Sequence, residues 1–351
     1  LLVLLLVVVG IIVLTENIDK LSSGSKKDAF LPGYSEDNVS AFMIVAQKDS
    51  VKIRRKGDIW VVDADPAVTG SGQASGLTNV ADKQTGADTE KGRKSRLYPA
   101  DSAAVATALE KMSNLSKDDL VSTNPEKQEL FEVDSANGVL VKVWDAQDKP
   151  LGSFRIGKSG PDWSSNYVRK IGSDKVYTVG GSIKYSFFSD EQRWRDKTVQ
   201  KFDKNNAKSI TLVKGTATTI KMEKEKDSTG ADIWKLVSPE KHMADLAKVN
   251  KLLGALSNLK TTGWEENVAL DDDTLGFSEP ELVARVTLGN GDTKEIVVGN
   301  KKGTENKFWV KAAGKEATFL VADHTISKLD VNVEELKASP EENVETGSKE
   351  S

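Results

Sequence analysis

Two rhythms of apolar and polar positions alternate along this chain, and the same succession of rhythms occurs twice. Residues 105–115 read V-A-T-A-L-E-K-M-S-N-L and residues 249–259 read V-N-K-L-L-G-A-L-S-N-L. Both place apolar residues three and four positions apart, the stripe of an amphipathic helix, and both end in Ser-Asn-Leu. Val105, Leu109, Met112 and Leu115 of the first fall on Val249, Leu253, Leu256 and Leu259 of the second. Asp101 or Ser102 is placed to cap the first helix, because a short oxygen-bearing side chain accepts from the free N–H groups of the first turn.

The flanking segments follow the two-residue period of half-buried strands. V-S-A-F-M-I-V-A, V-K-I-R-R and I-W-V-V fill 39–62, with a turn signal at Lys56-Gly57-Asp58. Ile59-Trp60-Val61-Val62 is matched by Ile233-Trp234-Lys235-Leu236. The strands ending at Trp144 and Gly157 are matched by 282–288 and 295–299, Asn166-Tyr167-Val168 by Phe308-Trp309-Val310, and 176–179 by 318–321. Similarity over so long a period predicts a duplicated domain, since a solenoid would show many short repeats. Each copy is expected to be α+β, with about six mixed or antiparallel strands and one main covering helix.

The resulting map has six parts. Residues 1–14 (L-L-V-L-L-L-V-V-V-G-I-I-V-L) are wholly apolar. As a helix they would extend about 21 Å at ~1.5 Å per residue, short of the roughly 30 Å hydrocarbon core, so further residues are expected before them. A single-pass membrane anchor is the first reading, the apolar region of a signal peptide the second and a buried helix the third; the first two export the rest of the chain. Residues 15–38 read as a tether, 39–197 as repeat 1 and 198–208 as a junction. Repeat 2 is 209–337, and 338–351 is a polar tail. Within repeat 1, 69–96 lacks apolar periodicity and reads as an inserted loop, either a spacer or a binding loop. Tyr185 to Lys197 is expected to close repeat 1 as a short helix.

Composition narrows the chemistry. A chain of 351 residues is long enough for two domains, each with its own core. A net charge of −4 with interspersed signs gives no basic stripe for nucleic acid. No cysteine is present, which removes disulfides, thiol catalysis and cysteine-ligated zinc; two histidines, His242 and His324, cannot build a histidine-rich metal site. Gly152-Ser-Phe-Arg-Ile-Gly157-Lys158-Ser159 has the spacing of a phosphate-binding loop, but its middle is strand-like and Gly160-Pro161-Asp162 cannot open the helix that such a loop requires. Asp271, Asp272 and Asp273 lack the alternation of a calcium loop. No catalytic, cofactor, nucleotide or metal site is therefore expected. What remains are aromatic and charged residues suited to holding a partner. These are Trp163 and Trp309 among the seven tryptophans, and the cluster Arg193, Trp194, Arg195, Asp196 and Lys197.

The Trp-x-Val/Leu segment before each helix, the helix ending in Ser-Asn-Leu, and F-R-I-G, N-Y-V-R, K-V-Y-T-V and W-R-D-K in 154–197 carry a resemblance. The chain resembles a bacterial family known as domain of unknown function 4340, in two copies over nearly all of 40–335. The resemblance implies an N-terminal membrane segment and a neighbourhood of ABC-transporter components of the gliding-motility type, and it brings no catalytic residues. The expectation is a non-enzymatic, extracytoplasmic (periplasmic) accessory or scaffold subunit of an envelope ABC-type complex, touching the membrane and transporter subunits. The alternative is a glycan- or peptidoglycan-binding module, for which Trp163 or Trp309 must stand exposed in a groove.

Overall fold

A computed structural model describes residues 30–47, 49–64, 96–116, 119–215, 218–266 and 269–339. Two compact units divide between Asp196 and Lys197. Unit 1 holds β1 (Ala41–Ala46), β2 (Asp49–Lys56), β3 (Ile59–Ala64), β4 (Arg96–Pro99) and helix α1 (Ser102–Ser113). After them come β5 (Leu120–Ser122), β6 (Val139–Trp144), β7 (Pro150–Ser159), β8 (Ser165–Lys170) and β9 (Val176–Gly180). The strands form one nine-stranded sheet in the order β4-β3-β2-β1-β6-β7-β8-β9-β5, and every pairing in it is antiparallel.

Alternation along the strands builds the core. Phe42 stands opposite Ile53 on one side and Val143 on the other, and Ile44 stands between Val51 and Val141. Val141 in turn faces Phe154, and Ile156 faces Val168, so one face of the sheet carries a continuous buried apolar row. Apolar pairs in register are the stabilising unit of a sheet. Helix α1 covers this row with Val105, Ala108, Leu109 and Met112. Its cap is Asp101, whose carboxylate accepts from the N–H groups of Ala103 and Ala104 at 3.0 and 3.1 Å.

Unit 2 contains β10 (Thr198–Lys201), β11 (Ala207–Lys214), β12 (Thr218–Lys226), β13 (Asp232–Ser238), β14 (His242–Met243) and helix α2 (Leu246–Ser257). It continues with β15 (Asn258–Lys260), β16 (Gly263–Trp264), β17 (Leu282–Leu288), β18 (Thr293–Lys301), β19 (Lys307–Ala312) and β20 (Phe319–Ala322). Its nine-stranded sheet runs β14-β13-β12-β11-β17-β18-β19-β20-β16, position for position the order of unit 1. β10 and β15 form a separate two-stranded ribbon. Ile210 stands between Met222 and Val286, and Leu212 between Ile220 and Ala284. Val249, Leu252, Leu253 and Leu256 of α2 close over them, and Asp245 caps α2 by accepting from the Lys248 N–H at 3.1 Å.

The α+β class expected from the sequence is corrected by this architecture. The protein is predominantly β, with two large antiparallel sheets and helices of at most twelve residues among those described. The expected count of about six strands per copy missed the edges. β4, β5, β14 and β16 are two to four residues long, too short to show a period. Residues 185–197 do not form the expected helix but short 3-10 turns at Ile183–Ser186 and Glu191–Arg193. The expected transmembrane segment at 1–14 lies outside the described residues, as do 15–29 of the tether, 69–95 of the insertion and the tail from 340. Among the described residues no helix is long and apolar enough to cross a membrane, and the anchor is not carried further. Residues 198–208, expected as a junction, supply β10 and a 3-10 turn to unit 2.

Both units carry a glycine at one tight crossing. A Cβ on Gly157 would lie 2.1 Å from the carbonyl oxygen of Phe131, and one on Gly299 would lie 2.1 Å from that of Leu275. Backbone cannot give way as a side-chain tip can, so Gly299→Ala is expected to cost about 1–3 kcal/mol. Gly254→Ala, in α2 with nothing within 4 Å of its added Cβ, should instead gain about 0.4–1 kcal/mol. Urea midpoints of the two variants, both in unit 2, should move in opposite directions.

Candidate functional site

The two units differ in what they leave on their surfaces. Among the described residues, every large exposed apolar side chain except Leu246 belongs to unit 1. Two of these, Trp163 and Tyr185, stand 82 % and 73 % exposed and line the same cleft, of about 900 Å³. The floor is formed by Ala46 and Val139 from neighbouring strands, and the walls come from the β7–β8 turn and from the chain after β9.

The β7–β8 turn is built around Asp162. Its Oδ1 accepts from the N–H and hydroxyl of Ser165 at 3.1 and 2.6 Å, and its Oδ2 accepts from the Ser164 hydroxyl at 2.6 Å. These donors hold the carboxyl well below its ordinary range, at about 2, the Ser164 and Ser165 hydroxyls contributing most. The turn is fastened to the segment after β9. The N–H groups of Gly181 and Ser182 donate to the Ser164 carbonyl at 2.8 and 2.7 Å, and the Ser182 hydroxyl donates to the Trp163 carbonyl at 3.3 Å. Trp163 has φ +59° and Ser182 φ +47°, left-handed values that a residue other than glycine holds only when its surroundings fix it, at about 1–3 kcal/mol each. The first lies in the β7–β8 turn. The second starts the 3-10 turn that presents Tyr185, whose neighbour Lys184 donates its N–H to the buried Asn166 side chain at 3.2 Å.

Cations complete the cleft. Lys158, Lys184 and Arg193 line it against one carboxylate, that of Asp190. The Arg193 guanidinium stacks on the Phe188 ring, 4.2 Å from its centre. Lys184 lies 3.7 Å from Glu132, a half-exposed and therefore weak pair. Asp190 accepts from the Gln192 N–H at 3.0 Å as the cap of a 3-10 turn. The lining thus combines aromatic faces, cations and hydroxyls, groups that can hold a ligand by stacking, charge and hydrogen bonds.

Of the residues expected to meet a partner, Trp163 and Arg193 come together in this cleft. Trp194 is 1 % exposed, meets Phe42 edge-to-face at 5.4 Å and donates its indole N–H to the Phe188 carbonyl at 2.8 Å. Arg195 is 2 % exposed and stacks on Tyr98 at 3.5 Å; Asp196 is half-buried and donates its N–H to the Pro99 carbonyl. Lys197 is exposed at the first position of unit 2. Trp309 is only 9 % exposed, packed with Leu275 and Leu320 and donating to Glu265 at 3.0 Å, so it forms no groove. Tyr185, Lys158 and Lys184 were missed as site residues. Tyr185 and Lys184 fall in the irregular stretch after β9, and Lys158 ends a strand at the discarded phosphate-loop pattern.

The other residues weighed from the sequence lie elsewhere. Asp271 caps a helical turn by accepting from the Thr274 N–H at 2.8 Å, Asp272 pairs with Lys311 at 2.6 Å and Asp273 accepts from Ser278. His242 Nδ1 lies 2.8 Å from the Met243 carbonyl, and His324 is exposed on a helical turn. Gly157 to Ser159 lie within β7.

Residues 93–233 and 234–346 each match the model of one family, described as a domain of unknown function, DUF4340. No curated protein and no solved structure matches the chain. The two matches meet inside β13, whereas the compact units meet at 196/197. One match is thus not one folding unit: β1, β2 and β3, needed to complete the first sheet, precede the first match.

The Asp162 network has a pH signature. A carboxyl held at about 2 instead of 3.8 adds stability that is fully present above pH 3.8 and is lost as pH falls towards and through 2. The Asp162 carboxyl should titrate near 2 by NMR, and Trp163 emission should change over the same range. Asp162→Asn should abolish that emission step while leaving the buried Trp194 unaffected.

Proposed function

This chain belongs to the DUF4340 family, and we propose that it is a non-enzymatic, extracytoplasmic binding protein of the cell envelope whose working surface is the unit 1 cleft. One observation carries the reading: the exposed rings of Trp163 and Tyr185 line the same cleft. An exposed aromatic face at a cleft is a usual form of anchor point for a ligand. Export is supported by the apolar run at 1–14.

Two roles are compatible with such a surface. The first is an accessory or scaffold subunit of an envelope ABC-type complex, supported by the neighbourhood that the family resemblance implies and by the concentration of exposed apolar side chains in unit 1. The second is a glycan-binding module, favoured by the exposure of Trp163 and Tyr185 at one cleft. Lysine-reactive crosslinking on intact membranes separates them. Lys158 and Lys184 crosslinked to a transporter subunit, with the yield lowered several-fold by Trp163→Ala, is the outcome expected of the accessory role. Envelopes in which these lysines reach no transporter component would remove that role and leave the second.

A further inference from the structure

The cleft's charges narrow what it would hold. The chain as a whole carries −4, yet the cleft presents three cations to one carboxylate. The nearby acids are already engaged: Glu132 with Lys184, Asp162 with two serines and Asp190 as a cap. Lys158 and Arg193 make no ion pair among the described residues. Arg193 is held by its face on Phe188, which leaves the edge of its guanidinium for a planar, two-oxygen acceptor. Trp163 and Tyr185 offer flat, amphipathic rings at high exposure, the surface on which the C–H face of a sugar ring stacks without deep burial. Ser159 and Ser189 add hydroxyls that can both donate and accept. A volume of about 900 Å³ is large for a single small molecule and suits a few linked units.

Unit 2 serves as an internal comparison. Its strands β18 and β19 correspond to β7 and β8, but the turn between them, Lys302-Gly303-Thr304-Glu305-Asn306, has no aromatic residue, and its cations Lys302 and Lys307 are paired with Glu305 or Glu265. The same scaffold therefore exists without the aromatic rim and without free cations, so neither feature is required by the sheet.

We infer that the cleft binds a saccharide chain bearing carboxylates, with sugar rings on Trp163 and Tyr185 and the carboxylates on Lys158 and Arg193. This rests on the glycan reading above. An acidic peptide shares the charge, but it would gain little from two flat rings at the rim with no enclosed side-chain pocket behind them.

The test is calorimetric titration of the full chain with two probes of the same backbone chemistry. One is peptide-free strands of alternating N-acetylglucosamine and N-acetylmuramic acid, whose lactyl carboxylates are free. The other is chitin oligosaccharide of equal length, which has none. The carboxylated strand should bind at least tenfold more tightly, and its affinity should fall with added salt. Trp163→Ala and Tyr185→Ser, both at exposed positions, should each weaken it about tenfold. Lys158→Gln with Arg193→Gln should bring it down to the chitin value and flatten the salt dependence, and Lys158→Arg should restore most of the loss. Equal affinity for both probes would overturn the carboxylate assignment and keep the glycan reading. Binding of neither probe would overturn both, and binding of poly-glutamate alone, lost in the Lys158 and Arg193 variant, would replace them with an acidic-peptide site.

Discussion

Each unit is closed by a backbone clasp between its last segment and the cap of its one long helix, and the rest of the unit depends on it. In unit 1 the Asp101 N–H donates to the Trp194 carbonyl at 2.7 Å and the Asp196 N–H donates to the Pro99 carbonyl at 2.8 Å, around a bridge between Ala100 and Arg195. In unit 2 the Asp245 N–H donates to the Leu336 carbonyl and the Ala338 N–H to the Met243 carbonyl, both at 2.9 Å, around a bridge between Ala244 and Lys337. The residue inside each clasp is buried: Trp194 in one, Leu336 in the other. A helix start under a closing segment leaves backbone groups with no water to satisfy them, so the clasp meets a requirement that the burial itself creates. It also fixes where the helix lies on its sheet, and hence which face of the sheet is core.

Much of this was legible in the sequence, and what was not has a physical reason. The helix stripes are visible because Val105, Leu109 and Met112, and Val249, Leu253 and Leu256, meet one buried row each. The long central strands show through alternation, as in β2, where Val51 and Ile53 point to the core and Lys52 and Arg54 do not. The class was misjudged because an edge strand of two to four residues, such as β14 or β16, has pairing but no periodicity. The charged cluster 193–197 looked like one surface, yet the closing geometry splits it. Trp194 goes into the core and Arg195 against Tyr98, while Arg193 reaches the cleft. Composition cannot separate those fates, because each follows from contacts with residues far away in sequence. Trp309 and Trp163 were likewise indistinguishable until the chain crossing at Leu275 was seen to cover one of them.

Duplication also lets the surfaces of the two copies be compared. The crossing at Gly157 and Gly299 recurs in both units, and beneath it lies a small second core, Phe131 on Tyr167 in one and Leu275 on Trp309 in the other. These contacts lie outside the β7–β8 and β18–β19 turns themselves. The turns differ. In unit 2 the turn is a charged hairpin with paired lysines; in unit 1 it is a serine-rich loop around Asp162 that carries an indole.

What that loop does energetically bears on how a weakly concave cleft could bind at all. Two non-glycine residues in the left-handed region cost about 1–3 kcal/mol each. Hydrogen bonds from Ser164, Ser165, Gly181 and Ser182 offset this. The result is an exposed tryptophan whose backbone is already ordered. A ligand arriving there need not order the loop backbone, so that part of the usual cost of binding is reduced on the protein side. In an open cleft that reduction favours binding.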